Sequence, residues 1–427
     1  MRHPTLRAGL RVEAREKFAM FYGWVIVGVA ATIYMLVVGT TYSAFGLLVL
    51  PVSAEFKLSR ASMNSALILL NIGNACLAPI IGRLLDRLPV RPIIMVAALL
   101  LGGSLAALGL SRSLWLSATI IVLPLAAGIL GASTLSMSVL IARWFVAHRG
   151  RAMMLAAIGM SAGSILVTPL VGWLIAAEGW RAALLITGGT ITALLLALAL
   201  LLRDRPPVEQ VPVGQGRPAA GPGPAPVRAL LAMPQFWTVS LSVSITLGTA
   251  LALSVTLVPL ALQGGLSMVQ ATSLVSVTGG AAIASKLLLS TLADRIDRIL
   301  LLTGLFALAG GLNAALLLDH SYPVLLCIGV GLGIATGVVA PIFYALLADR
   351  FGPSSFGTVR GLMAPIGAVI SALAVRLAGE VFDRTGGYAT LFTVFIGLQV
   401  LAVVLIYATR HLAAVPPAGA VPAREPR

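Results

Sequence analysis

The sequence predicts an all-α integral membrane protein of twelve transmembrane helices in two six-helix bundles. Three observations carry that reading: charge is scarce, apolar runs long enough to cross a bilayer recur twelve times, and the two halves of the chain repeat. Of 427 residues, 59% are apolar and 10% charged, whereas a soluble domain carries about 25% charged residues.

A hydrocarbon core about 30 Å thick needs about 20 helical residues. Nearly charge-free runs of at least that order lie at 23–49, 62–82, 92–110, 115–142, 152–175 and 182–202, and again at 236–261, 270–292, 299–318, 322–348, 358–379 and 389–409. The first run follows Arg2, Arg7, Arg11, Arg15 and Lys17 and is longer than the roughly 7 to 15 residues of a signal-peptide core, so it reads as an uncleaved first helix. Trp24, Trp115, Trp180 and Trp237 stand at helix starts, where aromatic belts form. Cys76 and Cys327 fall inside apolar runs and read as two buried thiols without a disulfide framework or metal site. No cofactor is expected.

An even number of crossings puts both termini on one side. Of the 29 Lys and Arg residues, 22 lie in the tails and alternate connections of that side, six lie opposite, and Lys286 sits within a run. The positive-inside rule makes the tails cytoplasmic, as in a multi-pass protein of the cell (inner) membrane. The formal charge of +15 is thus a topological bias. A nucleic-acid partner, which would need Lys and Arg clustered on a water-facing domain, is excluded from the expected functions.

Between residues 203 and 234 the composition turns to Pro, Gly, Gln and Arg, with eight prolines, and such a segment cannot bury enough apolar surface to fold. The expected organisation is a bundle at 1–202, a cytoplasmic linker at 203–233 and a second bundle with a short tail at 234–427. Asp86-Arg87 after helix 2 is echoed by Asp294-Arg295 after helix 8 at an offset of 208, and Arg143 after helix 4 by Arg350 after helix 10 at 207. Such repeats in transporters build two bundles around a site near the midplane.

Lys286 lies eight residues before Asp294, about 12 Å inside the membrane edge at about 1.5 Å per residue, too deep for its stem to reach water. Gly279, Ala282, Ile283 and Ser290 share its helical face, and three of the four are small. An ionisable residue in that setting marks a pathway; the competing reading is a structural lysine capped by carbonyls or water. The 14 acidic residues and the four histidines all lie in loops or at helix ends, so no carboxylate or imidazole is expected beside it. An ammonium can lose its proton and regain it beside a bound carboxylate, which makes Lys286 the expected carrier of a proton moving with an anion. Tyr34, Asn71, Asn74, Ser161, Ser164, Thr246 and Thr336 lie near the midplane of the lining helices and complete the polar candidates. Each competes with an ordinary interhelical hydrogen bond, and Tyr34 is the foremost second choice. Arg360 and Arg376 flank a run of 15 residues in helix 11 and read as rim anchors; Arg376 with Glu380 at i+4 is alternatively part of a gate.

Gly82-x-x-x-Asp86-Arg87-x-x-x-Arg91 resembles the loop signature of the major facilitator superfamily, with Pro89 where a second glycine is usual. The resemblance covers nearly the whole chain and implies the major facilitator fold and a latch in which Asp86 faces the N-terminus of a neighbouring helix. Asp86, Arg87, Arg91, Arg143, Asp294, Arg295 and Arg350 are the gating residues it implies; otherwise they mark the membrane edge. Tyr42-Ser-Ala-Phe45-Gly46 with Pro51, Glu55-Phe56 and Ser59-Arg60, and Trp144-Phe145-x-x-His148-Arg149-x-Arg151-Ala152 with Gly159 and Gly163, are similar to the monocarboxylate transporter and oxalate/formate antiporter branch. In that branch the position of Lys286 normally holds an Arg that binds the substrate carboxylate, and Lys keeps the charge without the bidentate fork. Two departures stand out: Gly46 where animal members carry Lys, and Ala282 where they carry Asp. The glycine pair also reads as a small-xxx-small packing face.

The expected function is secondary transport of a small organic anion, foremost a monocarboxylate, by alternating access, with or without a proton, by a monomer in the bilayer. The alternatives are efflux of amphipathic drug-like solutes and a non-transporting membrane receptor or scaffold. No nucleophile and base pair or metal cluster supports an enzyme.

Overall fold

The computed structural model describes residues 22–57, 60–146, 148–204 and 225–412. The basic N-terminal start, Ser59 and most of the linker, including its run of prolines, lie outside them. Lipid offers backbone groups no hydrogen-bond partner, so a chain this apolar satisfies them within helices. The crossings are α1 (Tyr22–Phe56), α2 (Arg60–Arg87), α3 (Val90–Leu110), α4 (Leu114–Trp144), α5 (149–178), α6 (180–200), α7 (Pro234–Gln263), α8 (Met268–Leu289), α9 (Arg298–Leu318), α10 (Tyr322–Phe351), α11 (Phe356–Thr385) and α12 (Ala389–Ala408). They form two six-helix bundles, and no strand is present among the described residues.

Local chemistry sets several ends. The Asp297 carboxylate accepts from the amides of Ile299 and Leu300 at 2.8 and 3.1 Å and starts α9. Ser267 and Gln270 form a reciprocal capping box at α8, and Pro234 opens α7, where a missing amide hydrogen costs nothing. Gly386 ends α11 in the left-handed region at φ 70°. Where a loop was expected between helices 5 and 6, a single residue, Gly179 at φ 79° and ψ 160°, breaks one long helix into two. Only glycine takes that conformation without strain.

Two further differences concern the predicted boundaries. Helix 1 continues past residue 49 to Phe56, through a π-helical turn at Gly39–Ser43. Residues Val227–Ala232, inside the expected linker, form a short helix with Leu230 buried, and the Ala225 amide donates to Ser355 Oγ at 3.0 Å. Cys76 and Cys327 are exposed on helix surfaces, contrary to expectation. An apolar run contains lipid-facing and core-facing positions alike, and composition does not separate them.

Glycines set the interhelical spacing. A Cβ on Gly159 would meet the Ala31 carbonyl oxygen at 1.9 Å, and one on Gly163 that of Met35 at 2.5 Å. This pair packs α5 against α1, as its spacing suggests. Both described chain ends lie on one face, where the Arg350 guanidinium donates to the Leu412 carbonyl at 3.0 Å and Tyr22 to that of Leu201 at 2.7 Å. This is called the basic face below.

Candidate functional site

The two bundles meet along a seam, and among the described residues the hydrogen bonds and ion pairs joining them all lie between the basic face and the level of Lys286. Asp86, at the end of α2, accepts from the amides of Gly357 and Thr358 at 2.9 and 2.6 Å. These are first-turn amides of α11, so the carboxylate meets the positive end of a helix dipole. The echo is symmetric: Asp294, beyond α8, accepts from Gly150 and Arg151 at the start of α5 at 2.9 and 3.2 Å. Gly82 and Gly357 let α2 and α11 touch, since a Cβ on Gly82 would lie 2.1 Å from the Gly357 oxygen.

The remaining predicted gating residues scatter. Arg143 donates to the Leu85 carbonyl beside Asp86. Arg350 binds the end of α12 instead of mirroring that contact. Arg87 and Arg295 are exposed and Arg91 is half-buried, and none of the three enters an ion pair among the described residues. A cluster the sequence reading passed over does bridge the bundles: Asp349 of α10 pairs with both Arg149 of α5 and Arg298 of α9. Arg149 is only 5% exposed. Its signal lay in the Trp144-Phe145-x-x-His148-Arg149 motif, which was read only as a family mark.

At the inner end of this contact zone is a small cavity of about 80 Å³, lined by Tyr34, Ser138, Ala157, Lys286, Thr336 and Tyr344 among others. Lys286 is 7% exposed, and its ammonium donates across the seam to the Ala157 carbonyl at 3.3 Å and to Ser161 Oγ at 3.1 Å. Tyr34 is buried and its hydroxyl reaches the Thr134 carbonyl at 3.5 Å. Thr336 lines the cavity while its hydroxyl donates back to Leu332.

Arg360 changes place most. Read as a rim anchor, it is 9% exposed and lies at the seam, donating to the Thr134 carbonyl and Ser138 Oγ of α4. Its guanidinium sits 3.8 Å from the Tyr344 ring centroid, a cation–π distance. Snorkelling fails because the start of α11, Phe356 to Gly361, is buried, with α2 against Gly357 and Gly361 and α4 and α10 against Arg360. Arg360 therefore shares Thr134, Ser138 and Tyr344 with the surroundings of Lys286 and Tyr34. No carboxylate pairs with either cation among the described residues.

The other polar candidates lie elsewhere. Thr246 is buried inside the second bundle, donating to the Ser242 carbonyl at 3.1 Å and Gln399 Oε1 at 3.2 Å, so it is an interhelical tie away from the cavity. Asn71 is exposed and donates to Leu67. Asn74 donates to the Tyr42 hydroxyl at 2.7 Å, and Ser164 is within 2.8 Å of Ser43, both inside the first bundle. Arg376 is exposed and 4.0 Å from Glu380.

Comparison with known proteins agrees with this architecture. The chain is 28% identical over 393 residues to monocarboxylate transporter 11 of Mus musculus, covering 87% of this chain and 84% of that one. It is 26% identical to monocarboxylate transporter 13 of Rattus norvegicus, covering 87% and 85%. Among solved structures, the human organic anion transporter MFSD10 matches with a TM-score of 0.69 at 18% identity, covering 90% of this chain and 99% of that one. The transporter FucP in its outward conformation matches at 0.71 and 14%, covering 91% and 99%. The family model of the Major Facilitator Superfamily matches residues 27–375, and with twelve helices in two bundles joined by paired aspartate contacts, the chain belongs to that superfamily of membrane transporters.

Proposed function

We propose that the protein carries a small organic anion, in the first instance a monocarboxylate, by alternating access about the Lys286 cavity. One observation carries the reading: Lys286 and Arg360 bring two buried cations to the seam with no acidic partner among the described residues. Buried charges are normally paired, and an unpaired cationic site selects an anion. The relatives' names as monocarboxylate transporters support the same substrate class.

With the basic face sealed, a carboxylate arriving from the opposite face can replace the Ala157 and Ser161 contacts of the ammonium. Rocking of the bundles then frees Asp86 and Asp294 from the helix ends they hold. Lys286 carries the proton that travels with the anion: of the two cations at the seam it is the one able to release a proton, since Arg stays charged. The Lys and Arg bias places the basic face in the cytoplasm.

Thermal melting of the purified protein against short carboxylates, amines, sugars and amphipathic cations tests the substrate class. A ligand that binds the folded state stabilises it by RT ln(1 + [L]/Kd). Short carboxylates should raise Tm, and Lys286→Ala or Arg360→Ala should abolish the rise. A response to amphipathic cations alone would replace this reading with solute efflux.

A further inference from the structure

Far from Lys286, the half of the first bundle opposite the basic face encloses a second cavity of about 490 Å³. Leu48 and Val52 of α1, Leu67 of α2, Trp115 and Ala118 of α4 and Trp180 of α6 line it, and none of its lining residues is charged. The polar lining is confined to Thr40, Thr41, Ser65 and Ser117, and the hydroxyls of Thr40, Thr41 and Ser117 already donate to Leu36, Val37 and Ser111. Water needs two to four polar partners, which so apolar a space supplies poorly. The volume falls within the roughly 300–1,000 Å³ of small-ligand sites. Above it the last segment of α1, Phe45–Phe56, has no buried residue despite its apolar composition.

The rim has the opposite character. Arg181 of α6 binds Glu55 at 2.7 Å and the carbonyls of Gly109 and Ser111 at 2.7 and 2.8 Å, and stacks 4.3 Å from the Trp180 ring centroid. Trp180 Nε1 also donates to Glu55 at 2.9 Å. Arg112 is exposed in the adjoining connection, and Trp115 is 86% exposed at the start of α4. An apolar chamber beneath a rim of two tryptophans, two arginines and Glu55 matches an amphiphile whose tail is apolar and whose head stays wet.

We propose that this chamber holds an acyl chain of a phospholipid from the surrounding bilayer, with its headgroup at the Arg112 and Arg181 rim. The chain fills the space between Phe45–Phe56 and the rest of the bundle and so supports the outer part of α1.

Native mass spectrometry of the full-length protein in detergent, before and after delipidation, tests this together with thermal melting on adding back phospholipid. Ala66→Phe and Ala118→Phe fill the chamber from two different helices. Wild-type protein should retain a phospholipid, lose Tm on delipidation and regain it on add-back. Either filled variant should retain none and ignore the addition. Wild-type protein without bound phospholipid, or a folded filled variant that retains as much, would overturn the proposal. Equal rescue by a free fatty acid of the same chain length would overturn the phospholipid assignment. The response to short carboxylates reads the Lys286 cavity and should persist in the filled variants, so failure of one site is distinguishable from failure of the other.

Discussion

Lys286 and Arg360 carry the same charge but differ in what they can do with it. An ammonium can deprotonate at physiological pH when its surroundings demand it, whereas a guanidinium does not. Lys286→Arg should therefore bind carboxylates yet lose pH-driven uptake, measured as accumulation into proteoliposomes with and without a proton gradient. Full pH-driven uptake by that variant would refute the assignment of the proton to Lys286. Arg360→Met should behave differently, losing carboxylate binding at every pH because an electrostatic partner is removed. Lys286 stood out in the sequence because it lies within an apolar run, eight residues before Asp294, although the structure places it in the last turn of α8. Arg360 interrupts a run near its end, where the sequence cannot distinguish a snorkelling anchor from a charge trapped by the opposite bundle. Thr246 shows the reverse error: midplane depth was readable, but the direction in which its helix face points was not.

At the scale of elements, carboxylates of one bundle meet helix N-termini of the other at the basic face, and the proposed gate rests on those contacts. A carboxylate at a helix N-terminus contributes about 0.3–1 kcal/mol when exposed and up to about 2 kcal/mol when partly buried. Asp86→Asn or Asp294→Asn should each shift the balance toward the form open at the basic face by roughly two- to thirtyfold on that scale. Spin-label distances between α2 and α11, or between α5 and α8, would read the shift. Gly82→Val should act through sterics, because its Cβ would meet the Gly357 oxygen at 2.1 Å, and the α2 to α11 distance should increase even with Asp86 intact.

For the whole molecule, the two aspartate contacts sit on opposite sides of the seam and share no partner. Their effects should add to within about 0.5 kcal/mol in the double variant Asp86→Asn with Asp294→Asn. A marked shortfall would mean that the bundles rock about one contact and the other follows passively. The Lys and Arg bias predicts that a C-terminal tag is reachable by protease only from the cytoplasmic side, and digestion of right-side-out and inverted vesicles checks it.

The sequence by itself determined the twelve crossings, the repeat that pairs Asp86 with Asp294, and the cation Lys286 inside an apolar run. All three follow from transfer energies and spacing along one helix: lipid tolerates neither charge nor unpaired backbone, and a repeat is visible wherever it falls. Only the tertiary structure decided which polar residues share a cavity. It brought Arg360 and Tyr344 beside Tyr34, joined Asp349 to Arg149, turned Thr246 into the second bundle and left a chamber beneath Phe45–Phe56. Those outcomes depend on the rotation of each helix about its axis, and packing against neighbours sets that rotation. In a helix apolar on every face, hydropathy carries almost no record of it.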